Sequence, residues 1–152
     1  VFIQKVWELI NAYHIPPSLL TFEITESAYV NNQEAVNQVI RSFKQHQIYI
    51  SMDDFGSGYS SLNTLKNLLF DEVKIDRKFL GDSLTENARI VLQEIFHMLK
   101  RMNKLIVCEG VETPEIADFL KEEGCSEIQG FLYYRPMCCE EFEKLMHEKF
   151  AV

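Results

Sequence analysis

Short apolar runs alternate along this chain with longer amphipathic stretches, and that alternation restricts its fold more than any other feature. Leu20 to Thr25, Ile48 to Met52, Glu72 to Ile75, Leu105 to Cys108 and Glu127 to Gln129 are too short for buried helices and are bounded by polar or turn-forming residues, which predicts strands. Helical periodicity fills the gaps. Asn31 or Asn32 can cap a helix that carries Val36, Val39, Ile40 and Phe43 on one face. A short helix is expected around Leu62, Leu65 and Leu68. A long one is expected from about Glu86 to Met102, with Ala88, Val91, Leu92, Ile95, Leu99 and Met102 as its buried stripe. Thr113-Pro114 opens the next helix in cap-then-first-turn order. Gly124 closes it, and a last helix carries Phe142, Leu145 and Met146. Before all of these, Phe2, Val6, Leu9, Ile10 and Tyr13 keep helical spacing until His14-Ile15-Pro16-Pro17 breaks it. No capping residue precedes Phe2, so the chain is expected to begin inside a helix and to be a piece of something longer.

Strand, helix, strand, repeated in this way, implies right-handed parallel units. Polar residues sit at every strand end: Glu23 and Glu26, Asp53 and Asp54, Lys74 and Asp76, Glu109 and Glu112, and Gln129. A doubly wound open sheet gathers its chemistry at one switch point, whereas an α/β barrel gathers it at the carboxyl ends of several strands. Polar tips on every strand favour the barrel. Such a barrel takes about 250 residues and eight strands. The 152 residues here fall short by roughly three strands. The expected fold is therefore α/β, a partial TIM-like (β/α) barrel of about five strand–helix units. An open parallel sheet would expose unpaired edges and a half-covered apolar interior, so self-association, as a homodimer or otherwise, or marginal stability is expected.

Charge narrows the partners. A net charge of −8 argues against DNA or RNA polymers, which need basic surface to displace counterions. No apolar run approaches the length that spans a bilayer, and no signal-peptide pattern opens the chain. Cys108, Cys125, Cys138 and Cys139 show no C-x-x-C spacing, which reads as reduced thiols in a cytoplasmic protein.

If the strand ends share one rim, Glu23, Asp53, Asp54 and Glu109 crowd together, with Lys74 as the fixed cation among them. Unpaired, such carboxylates raise one another's pKa, and some stay protonated. A divalent ion removes the conflict. All-oxygen ligands point to Mg²⁺ or Mn²⁺, with Ca²⁺ as competitor, and no Cys/His cluster offers a zinc site. His14, His46, His97 and His147 fall on helices or their ends and read as surface or packing residues. Plainer accounts exist for single residues. Glu112 and Asp54 could be first-turn acids favoured by a helix dipole. Glu23 lies between Phe22 and Ile24, and Lys74 between Val73 and Ile75, so each faces away from its apolar neighbours. An ion pair would satisfy those two alone but leaves Asp53 and Glu109 unexplained. Gly56-Ser57-Gly58 hints at dinucleotide binding with Asp76 as the ribose acid, but Ser61 stands where the third glycine belongs and two aspartates would repel a pyrophosphate. Gly58-Tyr59-Ser60-Ser61-Leu62 fails as a nucleophile elbow.

FEITES (22–27), DDFGSGYSSL (53–62), VKIDRKF (73–79), CEGVET (108–113) and IQGFLYYRP (128–136) resemble the successive motifs of the EAL domain, in order and with matching spacing. The resemblance implies residues 1–152 as the C-terminal portion of one EAL domain, a variant α/β barrel that hydrolyses cyclic di-GMP to linear pGpG. It implies Glu23, Asp53 and Glu109 as metal ligands, with Asp54 at a second metal and its activated water. Lys74 would hold that water or the scissile phosphate, and Gln129 would support the same centre. Glu26 would anchor the Asp54–Ser61 loop, which in the family couples the site to a dimer contact. Glu112, Gly56, Ser57, Gly58 and Asp76 would support that loop or the substrate. The implied cofactors are two Mg²⁺ or Mn²⁺ ions, which activate water and neutralise phosphoryl charge, while Ca²⁺ is expected to inhibit. The family's Glu-Ala-Leu signature, a substrate-binding arginine and a metal-ligand asparagine belong upstream of these motifs. Turnover is therefore expected of the parent protein and not of this chain alone. A non-catalytic cyclic di-GMP-binding or regulatory module is the alternative.

Overall fold

The computed structural model describes residues 2–57, 66, 69–81 and 84–150. Helix α1 (Phe2–Tyr13) and a 3-10 turn (Pro17–Leu19) precede β1 (Thr21–Thr25), α2 (Glu26–Asn31), α3 (Gln33–Lys44) and β2 (Tyr49–Phe55). There follow β3 (Glu72–Ile75), α4 (Arg77–Leu80), α5 (Glu86–Arg101), β4 (Leu105–Cys108), α6 (Pro114–Glu122), β5 (Glu127–Ile128) and α7 (Cys139–Phe150).

All five strands join one parallel sheet in the order β1-β2-β3-β4-β5. Each strand lies beside its neighbour in sequence, so the order never reverses and no switch point exists. Right-handed crossovers then carry every connecting helix to the same face. That is an arc of a (β/α) barrel.

Strand alternation divides the sheet into two unlike faces. The row Ile24–Met52–Val73–Ile106 meets the helices, and Phe22 stacks on Phe43 of α3 with centroids 4.8 Å apart. Ile40, Phe43, Leu92, Phe96, Leu99 and Leu120 complete this core from the helix side. The opposite face carries the row Glu23–Ser51–Glu72–Leu105 and, nearer the carboxyl ends, Lys74–Val107–Glu127. The apolar interior expected from the sequence is not there. Described positions on this face are mostly polar, and the apolar Tyr49 and Leu105 are exposed.

Threonines cap the helices. Oγ1 of Thr25, Thr85 and Thr113 accepts the amide of Ala28 (3.3 Å), Ala88 (3.2 Å) and Ile116 (3.4 Å). Asn32 occupies the cap position of α3 but makes no side-chain cap bond. On α5 the buried face is Leu92, Phe96 and Leu99, while Val91 is 46 % exposed. Leu92 and Leu99 are buried as expected, Ile95 and Met102 pack partly buried against the core, and Phe96 joins the stripe in place of Val91. The helix expected around Leu62, Leu65 and Leu68 lies outside the described residues.

Candidate active site

Lys74 organises the carboxyl end of the sheet. Its neighbours Val73 and Ile75 are buried, and alternation turns its own side chain to the opposite face, where it is 9 % exposed. Its Nζ lies 2.7 Å from Glu23 Oε1, 3.3 Å from Asp53 Oδ1 and 2.6 Å from Glu109 Oε1. These acids come from β1, from β2 and from the residue after β4, whose amide donates to Ile75 O at 3.1 Å. Burial alone would make the Lys74 ammonium easier to deprotonate. Hydrogen bonds to Glu109 and Glu23, with the charges of Glu109 and Asp53, outweigh burial and hold it well above the ordinary lysine value.

One ammonium does not satisfy three carboxylates. Asp53 Oδ1 is buried and within ion-pair distance of Nζ, yet among the described residues it has no hydrogen-bond partner. Ser51 Oγ, level with Glu23 in the register, is likewise buried and without a hydrogen-bond partner among them.

A bulge explains the adjacent aspartates. Met52 pairs with Val73 and Phe55 with Ile75, so both Asp53 and Asp54 stand against Lys74. Asp54 takes the extra place with a left-handed φ of 58°, which aspartate tolerates better than most residues. The strand thus runs past Met52 to Phe55. Burial, the Asp53 charge, and a hydrogen bond and charge from Asp76 together raise the Asp54 pKa, with Lys78 opposing. Asp76 also caps α4, its Oδ1 accepting the Lys78 amide at 2.7 Å.

The turn after β2 is held from below. Glu26, 2 % exposed at the start of α2, accepts the Gly56 amide at 2.9 Å, and the Ser57 amide donates to Asp54 O at 3.0 Å. Gly56 has φ 89°, and a Cβ there would lie 2.0 Å from the Phe79 ring. Gly58 lies outside the described residues. Glu112 pairs with Arg77 at 2.7 Å, set to one side of the Lys74 cluster. Gln129 follows β5 and is exposed, its amide donating to Cys108 O at 2.9 Å and its carbonyl accepting from Val111 at 3.1 Å. Gly130 is held so close to Val111 that a Cβ would meet its carbonyl oxygen at 2.0 Å.

Among the described residues no group of three or more His, Cys, Asp or Glu side chains is set to hold a metal ion by itself. The carboxylates surround the Lys74 ammonium instead. Their chemistry nonetheless fits a hard divalent cation, because every donor is oxygen and the buried Asp53 Oδ1 accepts no hydrogen bond from the described residues. Reasoning from the sequence missed Arg77, Phe79 and Ser51. Arg77 and Phe79 stand inside the VKIDRKF motif, and Ser51 interrupts an otherwise apolar strand.

Fold and site together define a (β/α)-barrel protein with an acidic rim at the strand carboxyl ends. The EAL domain family model matches residues 1–136, and the chain belongs to that family. MucR of Pseudomonas aeruginosa, a bifunctional diguanylate cyclase/cyclic di-GMP phosphodiesterase, is 38 % identical over 141 residues, which is 91 % of this chain and 20 % of that protein. A solved complex of the PaMucR phosphodiesterase with c-di-GMP superposes with a TM-score of 0.85 at 35 % identity, covering 92 % of this chain and 57 % of that one. The EAL domain of Mycobacterium smegmatis DcpA gives 0.88 at 30 % identity, over 97 % and 66 %. The chain spans about a fifth of the length of the curated relatives it matches.

Proposed function

We propose that residues 1–152 are the C-terminal portion of one EAL domain and that the complete domain hydrolyses cyclic di-GMP to linear pGpG in the cytoplasm. The observation that carries this reading is the meeting of Glu23, Asp53 and Glu109 at Lys74 Nζ, at 2.7, 3.3 and 2.6 Å. Glu23, Asp53, Asp54 and Glu109 would hold Mg²⁺ or Mn²⁺, with Ca²⁺ as an inhibitory competitor. The bound ions supply water activation and charge neutralisation at the phosphoryl oxygens.

The protein's own groups do the rest. Lys74 keeps its proton at any physiological pH and offers a fixed positive charge to a phosphate oxygen while holding Glu23 and Glu109 in place. Asp54, aimed by the bulge beside Asp53, would stand at a second metal and its activated water. Glu26 fixes the turn that carries Gly56 and Ser57, and through it the bulge that aims Asp53 and Asp54. Asp76 and Glu112 brace the rim through Lys78 and Arg77, and Gln129 lies at its β5 end. Self-association, as a homodimer or by exchange of elements, would cover the edges at β1 and β5.

A second reading is a module that binds cyclic di-GMP without turning it over. The Lys74 ammonium held among the carboxylates, where a metal ion would need the space, favours it. Incubating this chain and the longer protein with cyclic di-GMP and Mg²⁺ or Mn²⁺ decides between them. We expect linear pGpG from the longer protein and none from the chain alone. Turnover by the chain alone defeats the partial-domain reading. Binding without turnover by the longer protein establishes the second.

A further inference from the structure

The ion pair between Glu23 and Lys74 spans a strand. Glu23 belongs to β1 and Lys74 to β3, both on the face of the sheet away from the helices, and β2 runs between them. Neighbouring strands lie about 4.8 Å apart, so the two side chains meet at 2.7 Å above β2. On that face β2 presents Ser51, level with Glu23, and then Asp53. Ser51 is 0 % exposed, whereas Leu105 in the same row is 43 % exposed and the Glu23 side chain 48 %. A bridge laid over β2 accounts for that burial.

Among the described residues, Ser51 Oγ has no hydrogen-bond partner, and neither has Asp53 Oδ1 two residues on. The third such atom, Asn37 Oδ1, belongs to α3 and not to the sheet. Burying an unpaired hydroxyl is unfavourable, and an alanine would fill the same place without that penalty. The hydroxyl also offers what the rim lacks. Glu23, Asp53 and Glu109 share one ammonium, and a serine Oγ–H is a further donor that carries no charge. A neutral donor does not repel a cation, and outer hydrogen bonds of this kind orient the ligands of metal ions.

We propose that Ser51 is a positioning residue of the rim, its hydroxyl donating to the Glu23 carboxylate when that group turns from Lys74 to a divalent cation. The proposal rests on the reading that the rim holds Mg²⁺ or Mn²⁺. A carboxylate has two oxygens, so one can face the cation while the other accepts from Ser51. Glu23 is the acid concerned because it is level with Ser51 and crosses above it. Asp53 lies two residues further along the strand, roughly 6.6 Å away. Glu72, level with Ser51 on the other side, is not among the acids that meet Lys74. Ser51 thus touches neither cation nor substrate and acts through Glu23.

The experiment compares wild type with Ser51→Ala, Ser51→Cys and Ser51→Thr in the longer protein. Mn²⁺ affinity is read from the electron paramagnetic resonance signal of the free ion, and stability from urea unfolding without metal. Ser51→Ala is expected to bind Mn²⁺ about tenfold to a hundredfold more weakly. Without metal it should be no less stable than wild type, because it removes a hydroxyl that is left unsatisfied. Ser51→Cys keeps the volume but only a weak donor, and should follow alanine. Ser51→Thr keeps the hydroxyl and should recover the affinity. Equal Mn²⁺ binding by wild type and Ser51→Ala overturns the proposal and leaves the metal reading standing. Wild-type affinity in Ser51→Cys also overturns it, since shape and not the hydroxyl would then matter. So does a Ser51→Ala protein that unfolds more readily without metal, which would mean that the hydroxyl is already paired. A wild type that binds no Mn²⁺ overturns the metal reading and this proposal together.

Discussion

At the amino end of the sheet, Asp71 receives an ion pair from Lys44 and the Ile50 amide at 3.1 Å, while Lys44 also donates to Leu69 O at 3.1 Å and Lys104 to Phe70 O at 2.6 Å. At the carboxyl end, Lys74 is the one cation among the described residues that pairs with Glu23, Asp53 and Glu109. The first cluster spends surplus donors on backbone carbonyls and is complete. The second has surplus acid, including the buried Asp53 Oδ1, whose one contact among the described residues is its ion pair with Lys74. The lysines register the difference. Burial and the like charge of Lys44 lower the Lys104 pKa against Asp71, whereas the carboxylates overcome burial and raise that of Lys74. One end of a barrel sheet is built to stay folded, and the other holds charge that calls for a ligand.

The largest test of that contrast is Lys74→Met. Removing the buried cation from carboxylates that are partly exposed, Glu23 about half, is expected to cost about 2 kcal/mol in urea unfolding at neutral pH, below a fully buried pair. The loss should shrink as acid protonates the carboxylates, and Mn²⁺ should recover part of it. A cost no greater than that of a surface pair, below about 1 kcal/mol, would erase the distinction between the ends.

Asp71→Ala comes next, at about 1.5 kcal/mol for the hydrogen bonds it strands. Calorimetry should find cyclic di-GMP and divalent-ion binding by the protein unchanged. Weaker binding would mean that the amino end also serves the rim.

Smaller still is Asp54→Asn. Asp54 holds its proton more tightly folded than unfolded, so stability falls as pH rises from the ordinary 3.8 through the higher folded value. The variant escapes that fall. Thermal melts should show it gaining on the wild type across this window and keeping the gain at neutral pH, with the two converging in stronger acid. A variant less stable than wild type at pH 7 would show that the Asp54 charge is compensated in the free protein.

Least in energy is the order in which the lysines titrate. Between its lowered folded value and the ordinary 10.5, Lys104 binds fewer protons folded than unfolded, so its contribution grows with pH. The Lys74 contribution is complete below 10.5 and is lost as pH climbs through its raised folded value. Side-chain NMR titration should see Lys104 deprotonate first. The reverse order would undo the electrostatic account of both clusters.

Much of the fold was legible because its signals are local. Thr113-Pro114 and Gly124 bracket α6 as expected, and β4 runs from Leu105 to Cys108 as read. Polar tips on every strand suggested a barrel, and the unreversed strand order agrees. The failures share a cause. Val91 was placed in the stripe and Phe96 left out because helical spacing does not say which of two adjacent faces meets a sheet. Glu23 and Lys74 face away from the helices as alternation required, whereas the half-covered apolar interior expected of an open sheet is replaced by a mostly polar row that also holds Ser51 and Glu72. Arg77 escaped notice because its partner Glu112 sits beyond the next strand.

Period-two alternation is a property of a single strand, so the order of residues alone put Glu23 and Lys74 opposite their apolar neighbours and, with right-handed crossovers, made the strands parallel. The bulge, the left-handed Asp54 and the gathering of acids on one ammonium were decided only in three dimensions. Each depends on the register between segments distant in the chain, and register is fixed by how the helices pack behind the sheet and by contacts such as Phe79 against Gly56.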